Sequence, residues 1–512
     1  MVEQGTLNSS RRGSTPRKAT NNERFTQMNT VSPEKEVERL LGKILAGSVF
    51  HGKVKAVGGY VRDEYLASLT NTPHHPKDLD ILVDDGPEGS KRFASHLHSL
   101  FSKETSLPRQ MGAGYPIWQL TFHSNITLIS GGTFLTEGAV IEFADPMKET
   151  YPDQDSRQRT VIPATLEEDI KRRDFTVNML LKDLTSGEVE DLCESSLYDI
   201  RRGILRGHPD VYSRKMFSDD PLRIMRLVRF HAKYGWEIAY DLFLGARRTA
   251  NRLSIVSMER IQGELQKILE YGELHKSIGL MNDLGVLDYI LPEVKNLEHV
   301  EHDSEYHKEG DVYTHTMMVL ENSDKTVCGQ LAALLHDVGK PATREIIDGK
   351  VRFIGHEEVS AYMAKDILDR LKFPSQVRDQ VAKVIGFHMR PLALVNNQSP
   401  SRTYRRFMRD VGPYLDDVLS LASADCKGRL PYSPNHEKVI AKVREIQDHD
   451  ANLPPPPPLN GRDIMEALGL KSGIQVGMAV RVVQDIHDEY LEKGISVSKE
   501  QAISELRERF KV

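Results

Sequence analysis

The segment from Val54 to Asp85 constrains the fold more than any other part of this sequence. A short apolar run, Val54–Val57, stops at the pair Gly58-Gly59; an amphipathic segment follows, and then a second apolar run, Leu79–Val83. This order predicts a strand, a glycine turn, a helix and a second strand. Glycine allows backbone N–H groups to approach a ligand closely, and the N-terminus of the following helix favours phosphate.

The second apolar run carries two carboxylates, Asp78 and Asp80. On a strand, residues i and i+2 point the same way, so we expect both carboxylates on one face while Leu79 and Ile81 enter the core. Two neighbouring carboxylates repel each other unless positive charge lies between them, and a pair of divalent metal ions is the usual occupant. A glycine pair alone is mostly a turn and an Asp-x-Asp alone is mostly surface, but the two in this order are far more specific.

Three motifs in this order resemble the head domain of the class II tRNA nucleotidyltransferase and poly(A) polymerase family, part of the polymerase β superfamily: Gly58-Gly59, Arg62-Asp63 and Asp78-Leu79-Asp80. The resemblance implies an α+β chain, with a polymerase β-like nucleotidyltransferase head of mixed sheet and helices. All-α neck, body, HD and tail domains would follow. It also implies that Asp78 and Asp80 hold Mg²⁺ and that Gly58, Gly59 and Arg62 contact the nucleotide.

The family often completes the metal site with a carboxylate on a later strand. Here the run Val140–Phe143 is the expected strand, and Glu142 is the best candidate for that carboxylate. Asp145 is the alternative. Lys148 stands where the family often has an arginine beyond this strand, which leaves that contact open.

A second match lies within residues 166–181, where Arg172, Arg173 and Asp174 resemble the family's arginine–arginine–aspartate motif on a helix. Guanidinium groups suit triphosphate oxygens, and an aspartate can hold a ribose hydroxyl. The resemblance implies that these three residues and Asn178 bind the nucleotide. Taken alone, two arginines followed by an acid would more often form a solvated helix face.

A third match begins at Asp219-Asp220, followed by Pro221 and an apolar helical stripe, so a helix is expected to start near Asp220. It resembles the family's templating motif, with Asp220 and Arg223 as the base-reading pair and Arg226 as a further nucleotide contact. A guanidinium donor beside a carboxylate acceptor fits cytosine and adenine and mismatches uracil and guanine. The pair would thus replace a nucleic-acid template.

The segment 255–269 has helical apolar spacing and continues the family pattern with Glu259 and Arg260. We interpret it as the neck helix. The resemblance implies that such a helix orients the templating helix, so Glu259 and Arg260 are expected to be supports rather than catalysts.

A separate histidine-rich centre resembles the HD superfamily of metal-dependent phosphohydrolases. Its expected metal ligands, in chain order, are His315, His336, Asp337, His356, His388 and Asp425. Imidazole and carboxylate together suit Mg²⁺ or a transition ion such as Mn²⁺, Co²⁺ or Ni²⁺, and this ligand set allows one or two ions. The resemblance implies hydrolysis of phosphoesters, including 2′,3′-cyclic phosphates, at RNA ends.

The composition describes a soluble, multidomain chain of 512 residues, with 39% hydrophobic residues and a net charge of −6. No apolar run approaches membrane-spanning length, and the three cysteines have no metal-ligand spacing, which favours free thiols in the cytoplasm. No motif indicates a protein partner. The predicted domains are a disordered tail (1–34), the head (35–185), the neck and body (186–300), the HD domain (301–450) and a Pro-rich linker with a helical tail (451–512).

The sequence therefore predicts a nucleotidyltransferase that adds CCA to the 3′ end of tRNA from CTP and ATP, with a second, HD-type hydrolase centre. A poly(A) polymerase, or an enzyme that adds only CC or only A, is the nearest alternative because the same motifs serve all of these. An HD phosphohydrolase with an inactive, RNA-binding head is an alternative of another class. The intact acidic and arginine motifs of the head and templating helix count against it.

Overall fold

A computed structural model describes residues 32–72, 78–111, 117–150, 160–302, 308, 310–432, 434–451 and 459–510. Residues 1–31 of the expected tail and the polyproline run at 454–458 lie outside these ranges. The chain forms two compact units, Met1–Val211 and Tyr212–Val512. No helix within the described ranges is both long enough and apolar enough to cross a membrane.

The first unit contains a mixed sheet with helices. Its elements are α1 (Pro33–Leu45), β1 (Val54–Val57), α2 (Gly59–Thr70), β2 (Leu79–Val83), α3 (Gly89–Leu100), β3 (Arg109–Met111), β4 (Ile117–Thr121), β5 (Ile126–Thr127), β6 (Thr133–Phe134), β7 (Val140–Ala144), β8 (Met147–Thr150), β9 (Thr160–Pro163), α4 (Leu166–Lys171), a 3₁₀ turn (Thr176–Asn178), β10 (Leu181–Asp183), β11 (Val189–Glu190), α5 (Ser196–Arg202) and β12 (Ile204–Leu205).

Seven strands build the main sheet in the order β11-β10-β1-β2-β7-β4-β3. β2 is antiparallel to β1 and parallel to β7, and this register places Asp80 beside Val57 on one side and Glu142 on the other. The end of β1 and the start of β2 therefore meet at one edge of the sheet. The glycine turn after Val57 leaves the sheet at that edge, next to the two aspartates.

Local sequence explains why these elements begin where they do. Ser32 caps α1 by accepting a hydrogen bond from the Lys35 amide, and Pro33 occupies the first turn, where its missing N–H is not needed. Gly58 has a φ of 74°, a left-handed conformation that glycine adopts without steric cost. The apolar spacing of Val37, Leu40, Leu41 and Ile44 predicts a helix over Pro33–Leu45. This prediction and the predicted bounds of β1 and β2 are confirmed.

Three local predictions need correction. Asp78 lies one residue before β2, because the strand starts at Leu79. The apolar residues of segment 126–129 predict a strand there, but pairing is confined to Ile126 and Thr127. The arginine–arginine–aspartate motif does not lie on a helix: α4 ends at Lys171, Arg172 is its C-cap, and the chain turns away before Asp174.

The second unit is helical except for one short strand and one hairpin. Its elements are α6 (Ser213–Asp219), α7 (Leu222–Tyr234), β13 (Glu237–Ile238), α8 (Tyr240–Thr249), a 3₁₀ helix (Ala250–Ile255), α9 (Met258–Tyr271), α10 (Leu274–Asp283), α11 (Leu287–Ile290), α12 (Pro292–Lys295), α13 (Val312–Glu321), α14 (Val327–Leu335), a 3₁₀ turn (Pro341–Thr343), the hairpin β14 (Arg344–Ile347) and β15 (Lys350–Phe353), α15 (His356–Arg370), α16 (Ser375–Phe387), α17 (Arg390–Asn396), α18 (Ser401–Val411), a 3₁₀ turn (Gly412–Tyr414), α19 (Leu415–Lys427), α20 (Asn435–Ala451), α21 (Gly461–Leu468), α22 (Ile474–Glu492) and α23 (Lys499–Phe510).

The cores of this unit follow helical periodicity. On α7 the apolar stripe is buried while Arg223 and Arg226 stay partly exposed. The last helices, α21 to α23, form a hydrophobic cluster of their own that includes Ile464, Ile486 and Leu506. The expected α+β head followed by helical regions is confirmed, with the β14–β15 hairpin as an unforeseen addition.

Candidate active sites

The head presents three carboxylates at the edge of the sheet where β1 and β2 meet. Asp78 and Asp80 are exposed. Glu142 is partly buried, lies in register with Asp80 on the parallel neighbour β7, and accepts a hydrogen bond from Gln119 Nε2 at 3.1 Å. Residues in register on adjacent strands project to the same face, so the structure brings Glu142 to Asp80.

Asp80 is the carboxylate most affected by its surroundings. Desolvation by the surrounding protein, followed by the negative charge of Glu142, raises the pKa of Asp80 to about 6, although its side chain keeps access to solvent. Asp78 acts in the same direction and Arg173 opposes them. Oxygen donors clustered in this way fit a hard divalent cation such as Mg²⁺, which favours their ionised forms.

Asp145, the alternative third carboxylate, caps the N-terminus of α3. It is buried, and its Oδ1 accepts a hydrogen bond from the Ser90 amide at 2.6 Å, in the first turn of α3. A carboxylate at a helix N-terminus satisfies an amide that has no partner within the helix. Of the two candidates, Glu142 is thus the one placed beside Asp80.

The arginine pair lies around a carboxylate that the sequence analysis did not single out. Asp169 on α4 is fully buried, and its two oxygens accept hydrogen bonds from Arg172 and Arg173. Arg172 also donates to the Met147 carbonyl at 2.9 Å. The spacing of three and four residues from Asp169 to the arginines was the available signal, since such positions are neighbours on a helix.

The remaining nucleotide-binding candidates of the head form a buried chain of polar groups. Arg62 Nη1 donates to Asn178 Oδ1, and Asn178 Nδ2 donates to Asp174 Oδ1 at 2.8 Å. Arg62 also pairs with Asp63 at 2.7 Å. Gly59 lies close to this chain, because an ideal Cβ on Gly59 would be 3.4 Å from Arg62 Nη2. The structure thus joins Arg62, Asn178 and Asp174 in one network.

In the second unit, the base-reading candidates occupy the junction of α6 and α7. Asp220 is the C-cap of α6, and its carboxylate accepts hydrogen bonds from Arg260 Nη2 at 3.3 and 3.2 Å. Arg223 Nη1 donates to the Met216 carbonyl at 2.9 Å. Asp219 pairs with Lys215 on the surface at 2.7 Å. Arg260, expected as a support on the neck helix, thus contacts the carboxylate of the pair directly.

The expected HD ligands converge in the second unit, although they come from distant parts of the chain. His315 Nε2 lies 3.1 Å from Asp425 Oδ1 and 3.6 Å from Asp337 Oδ2. His336 and His356 place their Nε2 atoms 3.1 and 3.3 Å from the Asp337 carboxylate. All six ligand candidates are buried. The residues could hold a cation in two overlapping groups, one of His315, His336 and Asp425 and the other of His336, Asp337 and His388.

Backbone carbonyls orient all four histidines. The Nδ1 atoms of His315, His336, His356 and His388 lie 2.7 to 3.2 Å from the carbonyls of Gly428, Ala333, Phe353 and Ile385. An imidazole that donates through Nδ1 directs the lone pair of Nε2 to the opposite side. The Nε2 atoms of His336 and His356 are buried and lie 3.1 and 3.3 Å from the Asp337 carboxylate. This donor set fits a divalent transition metal or Mg²⁺.

The charges in the centre are also arranged for a cation. Burial, followed by the neighbouring His336, lowers the pKa of His388 to about 3, which keeps this imidazole neutral. Although burial favours the neutral acid, His336 and Lys340 hold the pKa of Asp337 well below its usual range. Neutral imidazole and ionised carboxylate are the protonation states that bind metal ions.

Two positively charged side chains lie beside these carboxylates, and neither belongs to the ligand set expected from the sequence. Lys340, three residues after Asp337, is buried with its Nζ 2.7 Å from Asp337 Oδ2. Arg429, which was missed, donates to both oxygens of Asp425, through Nε at 3.1 Å and through Nη2. Its position four residues after Asp425 was the available signal.

Three segments of the chain match known families. Residues 54–206 match the family described as poly A polymerase head domain, and residues 235–297 match the probable RNA and SrmB-binding site of polymerase A. Residues 312–424 match the HD domain family.

Curated relatives cover much of the chain. The A-adding tRNA nucleotidyltransferase of Deinococcus radiodurans is 31% identical over 346 residues, which is 63% of this chain and 76% of that protein. The multifunctional CCA protein of Burkholderia cenocepacia (strain HI2424) is 30% identical over 434 residues, 78% of this chain and 91% of that protein. The CC-adding tRNA nucleotidyltransferase of Thermus thermophilus is 30% identical and covers 64% of this chain and 75% of its own.

Solved structures show the same fold. The Bacillus stearothermophilus CCA-adding enzyme in complex with CTP superposes with a TM-score of 0.57 at 21% identity, over 94% of this chain and 98% of that one. The Thermotoga maritima CCA-adding enzyme complexed with tRNA gives a TM-score of 0.56 at 18% identity, over 93% and 95% of the two chains.

Proposed function

Because the chain belongs to the class II tRNA nucleotidyltransferase and poly(A) polymerase family, we propose that it rebuilds the CCA 3′ end of tRNA from CTP and ATP in the cytoplasm. The 3′ hydroxyl of the tRNA attacks the α-phosphate, the bond between the α- and β-phosphates breaks, and pyrophosphate leaves. The observation that carries the proposal is the group of Asp78, Asp80 and Glu142 beside the glycine turn. Phosphoryl transfer needs positioning and charge neutralisation more than covalent catalysis.

The head residues divide this work among themselves. Asp78, Asp80 and Glu142 would hold Mg²⁺, which when bound supplies positive charge to the reacting phosphate and hydroxyl oxygens. Gly58 leaves room beside Asp80 and Arg173, because an ideal Cβ on Gly58 would lie 4.0 Å from Asp80 Oδ2 and 3.9 Å from Arg173 Nη1. Arg173 binds triphosphate oxygens at this place, and the Arg62–Asn178–Asp174 network holds the sugar side of the nucleotide.

Base choice belongs to Asp220 and Arg223. Their carboxylate acceptor and guanidinium donors match the donor and acceptor edges of cytosine and adenine, and against uracil or guanine these charged groups would be left unpaired. In the structure both side chains already have partners, Arg260 and the Met216 carbonyl. Base recognition therefore involves an exchange of these partners by the incoming nucleotide.

An assay with the purified protein tests the proposal. Transcripts of one tRNA that end before the CCA, after the first C, after the second C and after the A are each incubated with single labelled NTPs and Mg²⁺. We expect C, C and A to be added in order and the complete end to be left unextended. Repeated A addition to every transcript would instead identify a poly(A) polymerase. Addition restricted to CC or to A would place the protein with its Thermus thermophilus or Deinococcus radiodurans relative.

A second activity is supported by the buried ligand cluster of the HD domain. We propose that this centre hydrolyses phosphoesters with a bound divalent metal ion, 2′,3′-cyclic phosphates at RNA ends among them. The donor set of Nε2 atoms and carboxylates carries this proposal. Hydrolysis of 2′,3′-cyclic AMP with Mg²⁺, Mn²⁺, Co²⁺ or Ni²⁺ tests it. Absence of hydrolysis with all four ions, together with absence of bound metal, would overturn it.

A further inference from the structure

The carboxylate of Asp169 has an unusual set of partners for a fully buried acid. Its Oδ1 accepts from Arg172 Nε at 2.8 Å and from the Met147 amide at 3.2 Å, while its Oδ2 accepts from Arg173 Nε at 3.1 Å and Nη2 at 2.9 Å. One buried carboxylate thus binds two consecutive arginines and the first residue of β8. The arginine–arginine–aspartate motif begins at Arg172 and does not include Asp169.

Beyond Asp169, the two arginines have different surroundings. Arg172 contacts the β8 strand, where it donates to the Met147 carbonyl at 2.9 Å and to Glu149 Oε1 at 3.5 Å. Arg173 turns one edge, Nε and Nη2, to Asp169. Its remaining nitrogen, Nη1, lies 3.9 Å from the place of an ideal Cβ on Gly58, a point that is 4.0 Å from Asp80 Oδ2.

From this geometry we infer that Asp169 is a positioning residue for nucleotide addition: it holds Arg173 by one edge so that the other edge faces the triphosphate beside Gly58 and Asp80. The inference rests on the proposed function of the head. An arginine loses much side-chain entropy when it is fixed on a ligand, and a bidentate carboxylate fixes it in advance. Asp169 itself touches no substrate, since it is fully buried.

The direction in which Asp169→Asn changes the affinity for pyrophosphate and CTP separates a positioning role from an effect of net charge alone. Asp169→Asn removes a negative charge from the neighbourhood of an anion-binding site. If only net charge mattered, pyrophosphate and CTP would bind more tightly to this variant. If Asp169 positions Arg173, they bind more weakly, because an amide cannot accept both bonds from the guanidinium at full strength.

The test measures binding of pyrophosphate and of CTP by calorimetry in Mg²⁺, together with kcat and KM for CTP on a tRNA that lacks CCA. For Asp169→Asn we expect an affinity for pyrophosphate and CTP about 10- to 100-fold lower and a KM raised to match, with the tRNA dissociation constant unchanged. Asp145→Asn is the matched control, because Asp145 is a buried carboxylate of the same unit that caps α3. It should leave the affinities for pyrophosphate and CTP, the KM for CTP and the tRNA dissociation constant within about twofold of wild type.

A second variant separates loss of binding from loss of folding. Arg173→Lys keeps the charge but cannot bridge Asp169 and the triphosphate with two edges, so it should weaken pyrophosphate binding beyond any loss of folded protein, which the melting temperature measures. In the double variant the two losses should not add, as expected of groups that act together. Unchanged or tighter binding by Asp169→Asn, or additive losses, overturns the inference. If wild-type protein binds pyrophosphate in this Asp169-dependent way but adds no nucleotide, the proposed function is overturned, and only the positioning of Arg173 for phosphate binding by Asp169 stands.

Discussion

At the scale of single residues, Asp80 shows how neighbours set the charge of the head site. Desolvation and then Glu142 raise its pKa to about 6, while Arg173 acts in the opposite direction. A divalent cation among these carboxylates would favour the ionised form of each and offset the repulsion between their charges. The proposed head site would therefore depend on the ion for its charge balance.

This dependence leads to a prediction about the two aspartates. Asp78→Ala or Asp80→Ala should lower nucleotide addition below about one per cent of wild type, because each removes a metal ligand. The tRNA dissociation constant should change by less than about twofold, since phosphate contacts carry most of the RNA affinity. Single-turnover addition and filter binding measure the two quantities. Asp85→Ala is a suitable control, as Asp85 lies beyond the same strand and pairs with Lys53 and Arg92; addition by either site variant above that limit would contradict the metal assignment.

A second prediction at this scale concerns base choice. Arg223→Ala should allow UTP or GTP to compete measurably with CTP and ATP, because the donor that distinguishes the base edges is gone. Competition assays with mixed labelled nucleotides measure the ratio. Lys215→Ala, which removes the surface partner of Asp219, is the control and should keep full selectivity. A variant that is only slower and still rejects UTP as wild type does would place base selection elsewhere.

At the scale of elements, many of the candidate site residues lie at the ends of helices and strands. The glycine turn brings the N-terminus of α2 to the start of β2, and α4 stops at a C-cap so that Arg172 and Arg173 can fold back onto Asp169. In the HD domain, α14 ends at Leu335 and His336 follows as its C-cap, which turns His336 and Asp337 into the cluster. These candidate residues lie where the backbone hydrogen bonds of a helix end, because the chain can change direction there.

The N-terminus of α3 offers a test at the same scale. Asp145→Ala removes the acceptor of the Ser90 amide and should lower the free energy of unfolding of the head by about 1 to 2 kcal/mol. Urea unfolding followed by the fluorescence of Trp118, in a Trp236→Phe background, reports on the head because the sequence has two tryptophans. Asp145→Asn keeps an acceptor oxygen and should recover most of the loss. A fall in Mg²⁺-dependent addition beyond the loss of folded protein would contradict the role of Asp145 as a cap.

At the scale of the whole molecule, the two candidate metal centres lie in two separate compact units, the head carboxylates in one and the HD cluster in the other. The two ligand sets share no residue. The bounds of the neck, body, HD and tail domains within the second unit stay a prediction.

Separate ligand sets predict separable activities. Asp337→Ala should abolish metal-dependent hydrolysis of 2′,3′-cyclic AMP and leave CCA addition within a few-fold of wild type, whereas Asp78→Ala should do the reverse. Circular dichroism and metal content must accompany each measurement, because loss of a metal can loosen a ligand-rich domain. Hydrolysis at full rate by Asp337→Ala would contradict the assignment of the HD centre.

The sequence by itself determined the features that depend on local chemistry. Apolar periodicity, apolar runs and the glycine pair predicted the bounds of α1, β1 and β2, because these signals act within a few residues. Motif order predicted which family the chain belongs to. For the HD centre, the sequence also named the six residues that converge in the structure.

Only the tertiary structure decided which charged groups meet. Asp169 became visible as the partner of both arginines, Asp145 as the cap of α3, and Arg260 as a partner of Asp220. Arg429 likewise emerged beside Asp425. A carboxylate looks the same in a sequence whether it binds a metal, caps a helix or holds an arginine. Its role depends on which strand or helix, often distant in the chain, packs within about 3 Å of it.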